Sequence, residues 1–120
     1  MKSDTKWNNL LAIEKKLFVE EGILPENVIQ WDVFVAPEEH MHYVEVTGSE
    51  KSQETLVVLH GYGGGAYVYF KIAKYLQDFY WVIYVDLPGM GFNSRNSYLE
   101  DYKEHPEWAE YYVSRLELLM

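Results

Sequence analysis

Two glycine-rich turns contain the residue types and the spacing that could do chemistry in this chain. The first follows an apolar run and reads His60-Gly61-Tyr62-Gly63-Gly64-Gly65. The second also follows an apolar run and reads Asp86-Leu87-Pro88-Gly89-Met90-Gly91. Glycine adopts positive φ and lets another backbone or a ligand approach the chain closely. Turns of this kind can therefore present backbone N–H groups to negative charge on a ligand or a reacting group.

The first turn is compatible with a dinucleotide site. The spacing Gly61-x-Gly63-x-x-Ala66 fits the dinucleotide-binding fingerprint, and Asp86 at the end of the next predicted strand could be its acidic residue. Two features disfavour this interpretation. Asp86 runs directly into a Pro-Gly turn, and the motif follows a predicted hairpin, whereas the fingerprint usually opens its domain. A Rossmann-type dinucleotide binder therefore remains the second alternative.

Taken together, the two turns resemble those in the front half of an α/β-hydrolase domain. In that family a His-Gly turn after an early strand supplies a backbone N–H to the oxyanion of a tetrahedral intermediate. The resemblance implies that Tyr62 donates this N–H, with Gly63 beside it. It implies that the rest of the loop supports these donors: His60, Gly61, Gly64 and Gly65. It also implies a structural turn built by Asp86, Pro88, Gly89, Gly91 and Ser94.

The resemblance implies no catalytic residue in these 120 residues. None of the serines lies in a Gly-x-Ser-x-Gly elbow, the strained turn that exposes the nucleophile in this family. His60 belongs to the first turn, where we expect it to brace the loop by hydrogen bonding, and the family supplies its base near the C-terminus. We therefore expect the chain to stop before the nucleophile elbow and to be inactive toward esters by itself.

Residues Leu56–Gly65 and Asp86–Arg95 look most like one branch of the superfamily. That branch contains lysophospholipid and N-acyl-phospholipid hydrolases, cardiolipin deacylases, and a lipase co-activator that has lost its serine. The resemblance implies the N-terminal part of a lipid-acting serine ester hydrolase or acyltransferase, with an acyl-lipid substrate of the phospholipid or lysophospholipid class. Because some members lack the nucleophile, the first alternative is a non-catalytic structural or regulatory subunit of a larger complex.

The remaining polar residues favour neither a metal site nor an acid/base pair. His40 and His42 alternate on one predicted strand and could share a metal ion, but no third ligand lies at a recognisable spacing. We interpret them as solvent-facing or hairpin histidines. The pairs Glu20-Glu21 and Glu38-Glu39 are interpreted as solvated charge. The sequence therefore predicts no metal and no cofactor.

The composition narrows the partners and the compartment. A net charge of −9, from 19 acidic and 10 basic residues, disfavours nucleic acid, since binding phosphates requires a basic face. The absence of cysteine excludes disulfides and fits a reducing compartment. The polar start shows no signal peptide, and the acidic residues after it disfavour a mitochondrial transit peptide. We expect an intracellular protein, cytoplasmic or peripheral on an organelle membrane, with a mitochondrial location left open.

Hydrophobic periodicity predicts the elements that position the two turns. It predicts an N-terminal amphipathic helix, then a β-hairpin, then a parallel βαβ unit and a further helix. The predicted ranges are a helix over Thr5–Glu21, a hairpin of residues 28–35 and 41–47, a strand over Thr55–Leu59, a helix over Ala66–Phe79, a strand over Tyr80–Val85 and a helix over Glu107–Leu119. The fold class is α/β, the incomplete N-terminal portion of an α/β-hydrolase sheet. Its two parts are the helix in residues 1–24 and a half-domain in residues 25–120.

The apolar surfaces of these elements predict how the chain associates. The apolar stripe of the first helix is expected to pack on the domain, because a helix rich in acidic residues binds anionic lipid poorly; peripheral membrane contact is the alternative. Thr55–Leu59 and the second strand are nearly continuous apolar runs, typical of strands buried on both faces. We therefore expect the remainder of a hydrolase domain, a partner chain supplying it, or a larger complex to cover them.

Overall fold

The computed structural model describes residues 5–48, 54–61, 64–87, 90–93 and 108–119. The elements follow the predicted order: α1 (Thr5–Glu20), β1 (Val28–Ala36), β2 (Glu39–Val46), β3 (Thr55–Leu59), α2 (Phe70–Leu76), β4 (Trp81–Val85) and α3 (Trp108–Leu119). Short 3₁₀ turns at Pro25–Asn27 and Ala66–Tyr69 precede β1 and α2. The α/β class, the N-terminal helix and the partial hydrolase sheet are therefore confirmed.

The four strands form one mixed sheet in the order β1-β2-β4-β3. β2 pairs antiparallel with β1 and with β4, and β3 pairs in parallel with β4. The hairpin turns at Glu38, whose φ of 60° is unusual for a residue with a side chain. This order places the hairpin beside β4 and leaves β3 at the edge of the described sheet.

The core lies between one face of the sheet and the helices α1 and α2. It comprises Phe18, Ile23, Val28, Val44, Val46, Ala66, Ala73, Val82 and Tyr84. The rings of Phe18 and Tyr84 lie 5.4 Å apart, which joins α1 to the central strand β4. The helix ends at Gly22, whose φ of 106° favours glycine. The expected packing of the α1 stripe on the domain is thus seen in these contacts.

Three predictions from the sequence differ from the structure. The helix predicted over Ala66–Phe79 begins as a 3₁₀ turn and ends at Leu76. The prediction that β3 is buried on both faces is wrong for the described residues, because Val57 and Leu59 are 37% and 45% exposed. Burial of an apolar strand requires cover on both sides, and the apolar run reveals only that the strand tolerates such cover. The solvent-facing interpretation of His42 is also wrong, because its side chain is fully buried.

Candidate functional site

The parallel pairing of β3 and β4 brings the two turns together. Leu59 lies opposite Val85 in the register, so His60 and Asp86 leave the sheet side by side at its carboxyl edge. Both side chains are buried. The carboxyl edge of parallel strands is where open α/β sheets bind their ligands. The described parts of both turns therefore form one candidate site.

His60 connects the first turn to the second. Its Nε2 accepts the backbone N–H of Leu87 at 2.9 Å. Because that nitrogen accepts, Nδ1 must carry the proton, and it donates to the carbonyl of Gly61 at 2.6 Å. Both ring nitrogens are therefore used in holding the loops. These are the contacts that a bracing role requires, and they leave neither nitrogen available to act as a catalytic base.

Asp86 holds the backbone on both sides of the site. Its Oδ1 accepts the N–H of Ala66, where the first turn enters α2, and its Oδ2 accepts the N–H of Phe92 at 2.7 Å. Burial raises the pKa of this carboxyl, while the charge of His42 and the two N–H donors oppose that rise. The carboxylate is fully buried. It is therefore committed to the protein backbone and not to a ligand.

Asn93 closes the second turn. Its Nδ2 donates to the carbonyls of Asp86 and Leu87 at 2.7 and 2.9 Å. Its Oδ1 accepts the backbone N–H of His42 at 2.5 Å. One buried amide thus fixes the turn to strand β2. The sequence pattern of the turn did not identify this residue, although an amide beside a glycine turn is a common local hydrogen-bonding device.

The glycines of the two turns are required for different reasons. Gly91 has φ of 57°, and a Cβ there would clash with Asp86 Oδ2. At Gly65 a Cβ would lie 2.5 Å from the Tyr67 ring. At Gly61, by contrast, a Cβ would meet no atom of the described structure within 4 Å. The space beside Gly61 is therefore open on the side where the resemblance expects an acyl group.

A buried charged cluster lies behind the second turn, and the sequence interpretation missed it. His42 Nε2 lies 2.6 Å from Glu14 Oε1, and His42 Nδ1 lies 3.1 Å from Asp32 Oδ1. Gln30 Nε2 also donates to Glu14 Oε1 at 2.8 Å. A signal was present, because Glu14 falls within the apolar stripe of α1 and His42 shares a strand face with Val44 and Val46.

The cluster stabilises the protonated form of His42. Burial lowers the pKa of His42, but the hydrogen bonds to Asp32 and Glu14, with the charges of Glu14 and Asp86, outweigh it and raise the pKa from 6.5 to about 10. Both ring nitrogens then donate. The Phe92 ring lies 4.7 Å from the His42 ring, so the second turn packs directly on this cation.

Some predicted site residues lie outside the described residues. These are the expected donors Tyr62 and Gly63, and Pro88, Gly89 and Ser94 of the second turn. The described residues bring together His60, Gly61, Gly64, Gly65, Asp86 and Gly91. Across the same residues, no group of three potential ligands could hold a metal ion. Among the helices in the described part, none combines the length and apolarity that crossing a membrane requires.

Comparison with known proteins agrees with the topology. A family model described as the alpha/beta hydrolase fold matches residues 54–119, which contain both turns. A search of curated proteins found no significant match.

Solved structures of bacterial proteins share this arrangement. A membrane phospholipase A, described as a bacterial virulence factor, is 28% identical, with a TM-score of 0.54 over 77% of this chain and 26% of its own. A putative lipase from Acinetobacter baumannii AYE is 23% identical, with a TM-score of 0.54 over 92% of this chain and 36% of its own. A haloalkane dehalogenase mutant from Agrobacterium tumefaciens C58 is 23% identical, with a TM-score of 0.56 over 76% of this chain and 30% of its own. The chain thus spans about a quarter to a third of the length of these proteins.

Proposed function

Because this chain belongs to the α/β-hydrolase fold family, we propose that it forms the oxyanion side of a hydrolase that cleaves lipid esters. The observation that carries the proposal is the braced pair of turns at the carboxyl edge of β3 and β4. His60 and Asp86 fix the backbone on both sides of the first turn, and the space beside Gly61 is open. A rigid loop next to open space is what stabilising a developing oxyanion requires.

In this proposal the chain supplies positioning and backbone donors. The N–H of Tyr62, with Gly63 beside it, would donate to the oxyanion, and small side chains in the loop would leave room for the acyl group. The serine nucleophile and the base would come from a continuation of the natural protein past residue 120 or from a partner chain. Such donors need no proton transfer, so the two used nitrogens of His60 are compatible with its supporting role.

The lipid ester class rests on the solved relatives. The phospholipase A is 28% identical to this chain, and its name supports a phospholipid or lysophospholipid ester as the substrate. The sequence resemblance to the phospholipid-acting branch points to the same class. Acyl transfer to an alcohol is the variant of this chemistry in which the acceptor differs while the oxyanion donors stay the same.

The dinucleotide alternative is disfavoured by the state of Asp86. That alternative needs a carboxylate free to bind a ribose hydroxyl. Both oxygens of Asp86 instead accept backbone N–H groups, and the side chain is fully buried.

Labelling with a fluorophosphonate probe tests the proposal. In the natural protein that contains these residues, we expect one serine outside residues 1–120 to be labelled, and a lysophospholipid ester to be hydrolysed. Residues 1–120 expressed alone, assayed beside it with a p-nitrophenyl ester, should show neither reaction. Absence of labelling in the natural protein would overturn the hydrolase proposal and favour the non-catalytic alternative. Stoichiometric labelling of a serine within residues 1–120 would contradict the assignment of the nucleophile.

A further inference from the structure

The cluster of Glu14, His42 and Asp32 has no role in the proposed chemistry, yet it is costly to bury. The side chain of Glu14 is 2% exposed and that of His42 is fully buried. Desolvating a charged pair costs several kcal/mol for each ion, so its attraction repays that cost only with good geometry. Glu14 Oε2 is buried without a hydrogen-bond partner in the described parts of the chain, which adds to the cost.

The cluster contacts the site through the backbone of His42. Asn93 Oδ1 accepts the His42 N–H, and the His42 carbonyl accepts the Asp86 N–H at 3.0 Å. Both backbone groups of this one residue are thus bonded to the second turn. The His42 ring is meanwhile held by a carboxylate on α1 and another on β1. The position of β2 relative to the turn therefore depends on the same residue that carries the buried charge.

The second turn in its turn sets the first. Asn93 holds the carbonyls of Asp86 and Leu87, Asp86 holds the N–H of Ala66, and His60 holds the N–H of Leu87. A continuous series of hydrogen bonds runs from Glu14 on α1, through His42 and Asn93, to both ends of the loop at residues 60–66.

We propose that Glu14 and His42 are positioning residues, which hold the turn of residues 86–93 so that the loop of residues 60–66 presents its backbone donors in register. This inference rests on the proposed function of that loop. The groups facing the His42 ring are Glu14 from α1, Asp32 from β1, and Phe92 from the turn, and Asp86 acts on it through its charge. Helix α1 is therefore part of the support of the site.

Substitution of Glu14 by Gln tests this inference in the natural protein. The change keeps the size of the side chain and removes its charge, which weakens the hold on the His42 ring. The matched control is Glu20→Gln, the same change in the same helix at an exposed pair with Lys16. We expect Glu14→Gln to lower kcat for the lysophospholipid ester about tenfold with KM nearly unchanged, a part of the roughly 10²–10³ that a whole oxyanion donor contributes. The control should leave both constants unchanged.

Amide hydrogen exchange separates this inference from the proposed function. In Glu14→Gln we expect faster exchange in residues 86–93 and in the N–H of Ala66, with β1 and β3 unchanged. If the wild-type protein hydrolyses no ester, the proposed function fails, while the exchange result still decides the coupling. Exchange in residues 86–93 equal to that of wild type would overturn the inference. Equal acceleration throughout the sheet would also overturn it, because it would show only a general loss of stability.

A double substitution tests whether Glu14 acts through Asn93. Asn93→Ala removes the amide that joins His42 to the turn, so a further change at Glu14 should then have little left to act on. We expect the loss of kcat in Glu14→Gln/Asn93→Ala to be smaller than the product of the single losses. Strictly multiplicative losses would contradict the connection and overturn the inference.

Discussion

The turn end of the sheet and the β3 edge are built in opposite ways. At the turn end, Asp86 and Asn93 are buried and hydrogen-bonded to backbone within the chain itself. At the edge, β3 exposes Val57 and Leu59, and neighbouring α2 is followed by Phe79, which is 71% exposed. The comparison teaches that the geometry of the candidate site is set locally by polar contacts. The apolar edge, by contrast, depends on cover from outside the described residues.

The largest expected effect lies at the turn end. His42→Leu removes the cation and leaves Glu14 as a buried charge without its partner. Breaking a buried ion pair from one side costs about 3–5 kcal/mol. We expect the free energy of unfolding of the natural protein, measured by urea denaturation, to fall by that amount. The control is His40→Leu, which loses one hydrogen bond to Phe92 on the same strand face and should cost about 1 kcal/mol. Equal costs at the two positions would contradict the account.

The two turns should respond differently to added methyl groups. Gly91→Ala forces a side chain into positive φ and against the Asp86 carboxylate, and each of these costs about 1–3 kcal/mol. We expect a loss of unfolding free energy of about 3 kcal/mol. Gly61→Ala places its methyl group in open space and should change stability by less than about 0.5 kcal/mol. Its effect should appear in ester turnover instead. A Gly61 variant as unstable as the Gly91 variant would show that the space beside Gly61 is filled.

The charged cluster makes stability depend on pH. The pKa of His42 is about 10 in the fold and near 6.5 when unfolded, so the folded state binds its proton more tightly. This contribution is complete below about pH 6.5 and is lost as the pH rises toward 10. Thermal unfolding of the wild-type protein should therefore show falling stability across that range. In Glu14→Gln the decrease should be smaller by about 2 kcal/mol, the contribution of a hydrogen bond between charged groups. An identical decrease in both proteins would contradict the assignment.

The smallest expected effect concerns the open edge. Residues 1–120 expressed alone should associate, because exposed strand edges and apolar surfaces favour pairing. Replacing Tyr75 and Phe79 together by Ser should weaken the association about tenfold, which corresponds to about 1.4 kcal/mol. Ile13→Ser, at an exposed apolar position on α1, is the control and should have no effect. Sedimentation velocity over a range of concentrations measures both. A monodisperse monomer in the unsubstituted chain would contradict the prediction.

Local patterns predicted the elements well. The periodicity of apolar residues located α1, the hairpin and both parallel strands, since period and turn residues are properties of the nearby sequence. The burial of β3 could not be predicted, because it depends on what covers the edge. Contacts across the fold were also beyond the pattern, since Glu14 meets His42 only after α1 packs on the hairpin. The expected donors Tyr62 and Gly63 remain a prediction.

The central claim is that the loop of residues 60–66 binds the oxyanion, and the structure of a trapped intermediate tests it most directly. The natural protein would be labelled with a fluorophosphonate, whose phosphonyl oxygen imitates the oxyanion, and its crystal structure determined. The account predicts that this oxygen lies about 2.7–3.1 Å from the backbone nitrogen of Tyr62. It also predicts that His60 keeps both of its hydrogen bonds in the adduct. A phosphonyl oxygen bound elsewhere, with the loop of residues 60–66 out of hydrogen-bonding reach, would contradict the account.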